Sequence, residues 1–290
     1  MSTEEKVWTV LSMLDWATDY FNKRDVQDPR LSIEWLLSEI LAVKRLDLYL
    51  QFDRPLSSEE LDRLRPLIQR RAKHEPLQHI TGSTQFMNTT IAVSPDVLIP
   101  RIETEQLVDL LFEQTQSISE KSVKMIDLGT GSGCIPIAIK KNRPRWECTG
   151  IDISDKALQL AKENAQSNSA EVTFRNANIE NLQSQIGNDW DIVISNPPYI
   201  SISEKEEIHK QVIDFEPHLA LFYDNPLYLY KKILQFASES DAKLFLECND
   251  KTAEQVAKIA EDFFSDISLL NDLDGNKRFV IASDQLIANP

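Results

Sequence analysis

Three of the chain's seven glycines fall inside one short stretch, Asp127-Leu128-Gly129-Thr130-Gly131-Ser132-Gly133. It follows directly on the strand-like run Val123-Lys124-Met125-Ile126-Asp127. A sequence this sparing with glycine spends it where the backbone must turn tightly or let another group come close. The next residues, Cys134-Ile135-Pro136-Ile137-Ala138-Ile139, read as a helix. Pro136 is tolerated there because it sits in the first turn, and the helix amides face the same point as the glycines. Strand, glycine turn and helix together call for an α/β sheet that binds its ligand beyond the carboxyl ends of its strands.

The rest of the chain repeats this alternation. Further strand-like runs are Glu147–Ile151, Val172–Phe174, Ile192–Ile194 and Lys243–Glu247, with helical stretches such as Asp155–Ser167 between them. Ile267–Leu270 and Lys277–Ala282, on either side of Asp274-Gly275, read as a closing pair of strands. Residues 1–82 differ in kind. Val7, Val10, Leu11, Leu14, Ala17 and Phe21 recur at helical spacing, as do Trp35, Leu36, Ile40 and Leu41. A third helix opens on the capping-box spacing Ser57-Ser58-Glu59-Glu60 and should be kinked or split at Pro66. Residues 83–100 mix β-formers with turn residues, which suggests a hairpin linker. The expected organisation is a helical bundle at 1–82, a hairpin linker at 83–100 and a doubly wound α/β domain at 101–290.

Composition narrows the function classes. No run of apolar residues is long enough for a membrane span, and the first residues, MSTEEKVWTV, carry acids where a targeting peptide would carry basic charge. Cys134, Cys148 and Cys248 are too scattered for a disulfide framework or a metal site, which fits a reducing cytoplasm. His74, His79, His209 and His218 are scattered too, so no metal is expected. The net charge of −15 is wrong for a duplex-DNA binder. The densest basic run, Arg63-Leu64-Arg65 through Gln69-Arg70-Arg71-Ala72-Lys73, reads as a solvated helix face.

The glycine turn does not carry the dinucleotide fingerprint, since its third glycine comes one position early. Nor does it carry the Gly-Lys-Ser/Thr of a phosphate loop. Asp152 closes the next strand, 23 residues after Gly129, where a carboxylate can accept hydrogen bonds from ribose hydroxyls. Turn and acid together point to a nucleoside-containing ligand. The pattern acid-x-Gly-x-Gly-x-Gly resembles the first motif of Rossmann-like S-adenosylmethionine-dependent methyltransferases.

A second constellation sits at the end of another strand: Ser195-Asn196-Pro197-Pro198-Tyr199-Ile200. Two successive prolines cannot continue a ladder, because neither donates an N–H. Pro197 also holds Asn196 extended. The segment therefore offers acceptors, the Asn196 side-chain oxygen and a proline carbonyl, suited to a planar NH₂ group. Tyr199 can stack on such a plane. An amide or base nitrogen is a poor nucleophile, but orientation and fixed dipoles lower the barrier without a general base.

Five stretches occur in the order seen in the bacterial release-factor glutamine methyltransferases, the HemK or PrmC family. They are Glu75-Pro76-Leu77-Gln78-His79-Ile80-Thr81-Gly82, Val97-Leu98-Ile99-Pro100-Arg101-Ile102-Glu103-Thr104-Glu105, the glycine turn, SNPPYI, and Asp214-Phe215-Glu216-Pro217-His218-Leu219-Ala220-Leu221. The resemblance spans essentially the whole chain. It implies a Rossmann-like class I methyltransferase sheet with a small N-terminal helical domain that contacts the release factor. It implies methyl transfer from S-adenosylmethionine to the side-chain amide of the glutamine in the Gly-Gly-Gln motif of class 1 release factors. It places Asp127, Gly129, Thr130, Gly131, Ser132, Gly133, Asp152, Ile153, Asn178, Ile179 and Asn196 around the cofactor. Asn196, Pro197, Pro198 and Tyr199 would hold the glutamine, with Asn196, Pro197 and Tyr199 as the catalytic group, and Arg101 and Glu103 would shape the pocket. The protein is expected to be a cytoplasmic monomer acting on protein.

The sequence departs from the family pattern at Asn178-Ile179, which stands where an acid and a larger apolar cover over adenine are usual, and at Leu246-Glu247-Cys248-Asn249 and Tyr223-Asp224-Asn225-Pro226. Two other readings share the cofactor fold: a nucleic-acid amino methyltransferase, which would need a surface able to flip a base, and a non-catalytic binding module. The charge and flanking motifs weigh against the first. The intact motifs weigh against the second.

Overall fold

A computed structural model describes residues 7–207 and 210–284, and the chain divides into two compact units, 1–82 and 83–290. The first unit is helical: α1 (Val10–Asn22), α2 (Pro29–Leu41), α3 (Ser58–Arg71) and α4 (Leu77–Thr81), with a 3₁₀ turn at Arg45–Leu50. Its core is built from one face of each helix, including Leu14, Phe21, Ile33, Leu36, Leu64 and Ile68. Trp35 of α2 faces outward. The capping box at Ser57 and Glu60 forms as the spacing predicts. Pro66, however, does not split α3, which runs unbroken through it. Both Pro66 and Asp62, whose carbonyl loses its partner, lie on the exposed face, where water can replace the missing bond. The basic run is not one solvated face either. Arg71 is buried, and its guanidinium donates to Ser32 Oγ and to the carbonyls of Gln27 and Glu75.

The second unit opens with the hairpin β1 (Ser83–Phe86) and β2 (Thr89–Ala92). This is no free linker. Phe86 and Ile91 join the unit's core, and the Asn164 side chain both accepts from the Ala92 N–H and donates to the Ala92 carbonyl. Then come α5 (Ile102–Gln114), β3 (Lys124–Leu128), α6 (Cys134–Asn142), β4 (Glu147–Asp152), α7 (Asp155–Ser167), β5 (Val172–Asn176), α8 (Leu182–Ile186), β6 (Ile192–Ser195) and β7 (Ile200–Ser201). The chain continues through α9 (Lys210–Phe215), α10 (His218–Leu221), β8 (Phe222–Tyr223), α11 (Pro226–Glu239), β9 (Lys243–Glu247), α12 (Ala253–Ala260), β10 (Asp266–Asn271) and β11 (Lys277–Ser283).

Seven strands form the central sheet in the order β10-β11-β9-β6-β3-β4-β5. The five from β9 to β5 are parallel, and β11 and β10 are antiparallel. Alternation along each strand separates two cores. Met125, Ile192, Ile194 and Phe245 pack with α5, α6 and α7; Ile126, Leu128, Val193, Leu244 and Leu246 pack with α8, α11 and α12. The strand order reverses at β3, between β4 on one side and β6 on the other, and this switch point is where a doubly wound sheet opens its ligand crevice. Register aligns the residues at the carboxyl ends of these strands. Leu128 pairs with Ile151 and with Ser195, and Ser195 pairs with Leu246. One residue further on, Asp152, Gly129, Asn196 and Glu247 therefore form a single row across the sheet edge.

Candidate active site

That row borders a cavity of about 490 Å³ in the second unit, within the size range of small-ligand sites. One wall is the glycine turn. Gly129 and Gly131 have φ of +78° and +52°, which side chains rarely adopt. A Cβ on Gly131 would meet only open space, so here the turn leaves room for a ligand to approach the backbone. Gly133 does a different job. A Cβ there would lie 3.0 Å from Ala161 Cβ and 3.1 Å from Phe174, so its glycine lets α6 pack against α7 and β5. The turn satisfies itself through the backbone: Gly129 N–H and Thr130 N–H both donate to the Ile151 carbonyl.

Asp152 is fixed by the same means. Its two carboxylate oxygens accept from Gly131 N–H and Ser154 N–H, each at 2.9 Å. Burial pushes its pKa up, and these backbone donors pull it back. Each oxygen keeps lone-pair capacity for a ribose hydroxyl. Ile153, Asn178 and Ile179 extend the wall. Asn178 Oδ1 accepts from Glu180 N–H, so this side chain caps a 3₁₀ turn at the cavity wall. The residues present fit a nucleoside ligand: a fixed carboxylate at the end of β4, an apolar cover in Ile179, and a glycine turn open to close approach.

The opposite wall carries Asn196 and Pro198. The Asn196 Nδ2 donates to Thr104 Oγ1 at 2.9 Å, and Thr104 Oγ1 donates to Glu247 Oε2 at 2.8 Å. Asn196 Oδ1 accepts no hydrogen bond among the described residues. Ser195 anchors the turn from behind, donating to the Leu128 carbonyl at 2.7 Å. Glu247 is buried, and desolvation pushes its carboxyl up to about 7, against the pull of Thr104 and Arg278 and with the help of the Glu103 charge. Tyr199 is not placed as a stacking platform. Its hydroxyl turns inward to Glu247 Oε1, at 3.5 Å, and its ring packs on the core.

Arg101 lines the cavity and pairs with buried Glu216 at 2.5 Å; Glu216 also accepts from Ile99 N–H. That clamp seats the next residues, and Pro217, Leu219 and Ala220 roof the cavity. The hydroxyl of Tyr223 donates to Glu180 across the same mouth. Of the residues expected at the site, Glu103, Asp127, Gly133, Pro197 and Tyr199 do not form part of the cavity wall. Asp127 lies fully buried beneath the turn, and neither of its oxygens finds a hydrogen-bond partner. Desolvation and the Asp152 charge push it up to about 7; the Thr130 hydroxyl, close but outside hydrogen-bond geometry, offsets part of that rise.

Two family models match the chain, the PrmC N-terminal domain over residues 12–82 and the methyltransferase small domain over residues 103–217. A release factor glutamine methyltransferase of Flavobacterium psychrophilum is 38% identical over 253 residues, covering 84% of this chain and 88% of its own. The protein of that name from Leptospira interrogans is 35% identical over 285 residues, covering 94% and 97%. The chain belongs to the release factor glutamine methyltransferase family.

In fold it also resembles a methyltransferase from Pyrococcus furiosus, with a TM-score of 0.50 at 13% identity over 69% of this chain and 91% of that one. The catalytic domain of hMettl16, solved with an RNA hairpin, gives a TM-score of 0.55 at 13% identity over 82% and 87%. The Rossmann-like methyltransferase sheet expected from the sequence is the observed fold. Sequence reading gave no role to Thr104, Ser195, Glu216 or Glu247, although each stands in a stretch quoted above for its likeness to the family or its departure from it. For Glu247 a further signal was an acid ending a strand that is otherwise apolar after Lys243.

Proposed function

We propose that this chain transfers a methyl group from S-adenosylmethionine to the side-chain amide nitrogen, N5, of the glutamine in the Gly-Gly-Gln motif of class 1 peptide release factors. One observation carries the reading beyond family membership. The Asn196 amide spends its N–H on Thr104 and keeps its oxygen for a ligand, in the same row as Asp152 and Gly129. A planar amide NH₂ is the group such an acceptor suits.

When bound, S-adenosylmethionine supplies an electrophilic methyl on a sulfonium. The chain's own residues bind and orient. Asp152 takes the ribose hydroxyls, Ile153, Asn178 and Ile179 flank the base, and Gly129 to Ser132 pass under the amino-acid portion. Asn196 Oδ1 and a proline carbonyl of the same turn accept the two N–H bonds of the glutamine, which fixes the direction of the nitrogen lone pair. As the N–C bond forms and the S–C bond to the methyl breaks, leaving a neutral thioether, the same acceptors would stabilise positive charge developing on that nitrogen, and loss of one N–H proton to water then restores the neutral, methylated amide. Pro217, Leu219 and Ala220 exclude water, and Arg101 holds that roof through Glu216. The three cysteines are free and buried, in keeping with a protein of the reducing cytoplasm.

The test is label transfer from radiolabelled S-adenosylmethionine to purified release factor, beside a factor whose Gly-Gly-Gln glutamine is replaced. Label on the normal factor alone is the expected result. Label on DNA or RNA, with none on the factor, overturns the reading in favour of a nucleic-acid amine.

A further inference from the structure

Asn196 is useful only one way round. With its oxygen toward the cavity it can accept the substrate N–H; flipped, it offers a second donor to a group that is itself a donor. Asn196 cannot choose between these alone, because its two ends have nearly the same shape. The choice falls to whatever sits behind it.

Behind it is a chain of three groups from three distant parts of the sequence. Thr104 Oγ1, on the first turn of α5, has one proton to give. It gives that proton to Glu247 Oε2 at 2.8 Å and therefore faces Asn196 as an acceptor, taking Nδ2 at 2.9 Å. Thr104 and Glu247 are both buried, so water does not compete for either bond. We propose that Thr104 and Glu247 are positioning residues for methyl transfer: the Glu247 carboxylate claims the Thr104 proton, Thr104 claims the Asn196 N–H, and Asn196 Oδ1 is thereby held toward the substrate amide. This rests on the function proposed above and adds to it a reason for the acid at the end of β9.

The polarity of the chain depends on the charge of Glu247. As a carboxylate it can only accept, and Thr104 must donate to it. As a carboxylic acid it can donate to Thr104, whose own proton is then free to seek Asn196 Oδ1 and turn the amide over. The groups around Glu247 set when this happens. Glu103 from α5 opposes its ionisation and Arg278 from β11 favours it. Tyr199 hydrogen-bonds its other oxygen, and Tyr230 from α11 and Cys248 face it as neutral groups whose own titration lies far higher. With its carboxyl near 7, activity should rise with pH through neutrality, as the ionised and correctly polarised form takes over.

The experiment uses the full chain as wild type, Thr104→Ser, Thr104→Val and Glu247→Gln, assayed for release-factor methylation from about pH 5.5 to 8.5. In parallel, the Asn196 Nδ2 resonance is followed by ¹⁵N NMR without substrate over the same range. Thr104→Val should lower kcat/KM by about 10- to 100-fold, while Thr104→Ser, which keeps the hydroxyl, stays within about threefold of wild type. Cofactor Kd should move less than about threefold in either. Wild-type kcat/KM and the Asn196 resonance should share one midpoint near neutrality, and both should become flat in Glu247→Gln.

A folded Thr104→Val with wild-type kcat/KM overturns the proposal, as does a wild-type pH profile retained in Glu247→Gln. Should Thr104→Val fail to fold, Thr104→Ser and Glu247→Gln still decide it. Should wild type methylate no glutamine, the function reading fails instead, and the resonance still tests the chain: an Asn196 signal blind to Glu247 ionisation sinks it.

Discussion

The two walls of the cavity reach the same sheet edge by opposite means. The glycine turn after β3 is built from backbone. Its φ values need glycine, its N–H groups bond neighbouring carbonyls, and even Asp152 is held by two main-chain donors. The Asn-Pro-Pro-Tyr turn after β6 is built from side chains. Prolines remove its donors, and its orientation comes from Thr104 and Glu247, far away in sequence, and from Ser195 beside it, which bonds Leu128 on the neighbouring strand. A wall made of backbone is robust to side-chain exchange but intolerant of any Cβ. A wall made of side chains is robust to small backbone shifts but fails when one hydrogen bond is lost.

This contrast is open to breaking, and the largest effect should come at the side-chain wall. Asn196→Ala removes the acceptor outright. It should cost about 10³-fold in kcat, in line with the loss of a fixed dipole aimed at a reacting group. Cofactor affinity, read by calorimetry, should stay within about threefold, because the glycine wall is untouched. Equal losses in both would mean that the two walls do not act separately.

Beneath the backbone wall lies a charge that the backbone does not satisfy. Asp127 is pushed up to about 7 from 3.8, so the folded state binds its proton more tightly than the unfolded chain does. The resulting stability is complete below about pH 4 and is lost as pH rises through about 7. Glu247 adds a loss of the same sign. Asp127→Asn has no such proton to lose. Against wild type it should therefore gain about 2–3 kcal/mol of unfolding free energy between pH 5 and pH 8. Urea titrations at the two pH values measure this, and a constant difference would show that Asp127 is not ionising where it sits.

Gly133 tests the intolerance directly. At φ +79°, with a Cβ-to-be 3.0 Å from Ala161 and 3.1 Å from Phe174, Gly133→Ala combines backbone strain with overpacking. A loss of about 2 kcal/mol in stability is expected from chemical denaturation. Gly131→Ala has strain but no neighbour, so it should destabilise less while weakening cofactor binding more. The reverse order would mean that Gly133, not Gly131, is where the ligand comes close.

The same contrast explains how much of this was legible in the sequence. The backbone wall is local: strand, three glycines and helix lie within one short stretch, and Asp152 falls at the end of the next strand. The parallel strands and the closing pair at β10 and β11 were legible for the same reason, since alternation and turn residues are short-range signals. The Asn-Pro-Pro-Tyr motif was visible as a motif, but what orients it was not. Thr104 stands in a quoted stretch with nothing local to give it a role, and only the row set by register brings Glu247 alongside Asn196. Tyr199 reads as a stacking ring in the sequence because its partner, Glu247, is 48 residues away. Pro66 reads as a helix breaker because sequence alone does not say that its orphaned carbonyl faces water.

The smallest effect should come where the two walls meet. Tyr223, at the end of β8, donates to Glu180, in the 3₁₀ turn that follows β5, and both line the cavity mouth. Glu180 is exposed, so water competes for the bond and its net worth is under about 1 kcal/mol. The roof has a stronger attachment in Arg101 and buried Glu216. Tyr223→Phe should therefore speed cofactor release about two- to fivefold in stopped-flow measurements, and leave kcat within about twofold. Burial and the Glu180 charge push the Tyr223 phenol up to about 12, so it stays a donor at neutral pH and the effect should be the same at pH 6 and pH 9. If release is unchanged, the clamp at Glu216 alone holds the roof. If kcat falls with it, the mouth contact orients the reacting groups, and the division of labour between a backbone wall that binds and a side-chain wall that aligns breaks down at their junction.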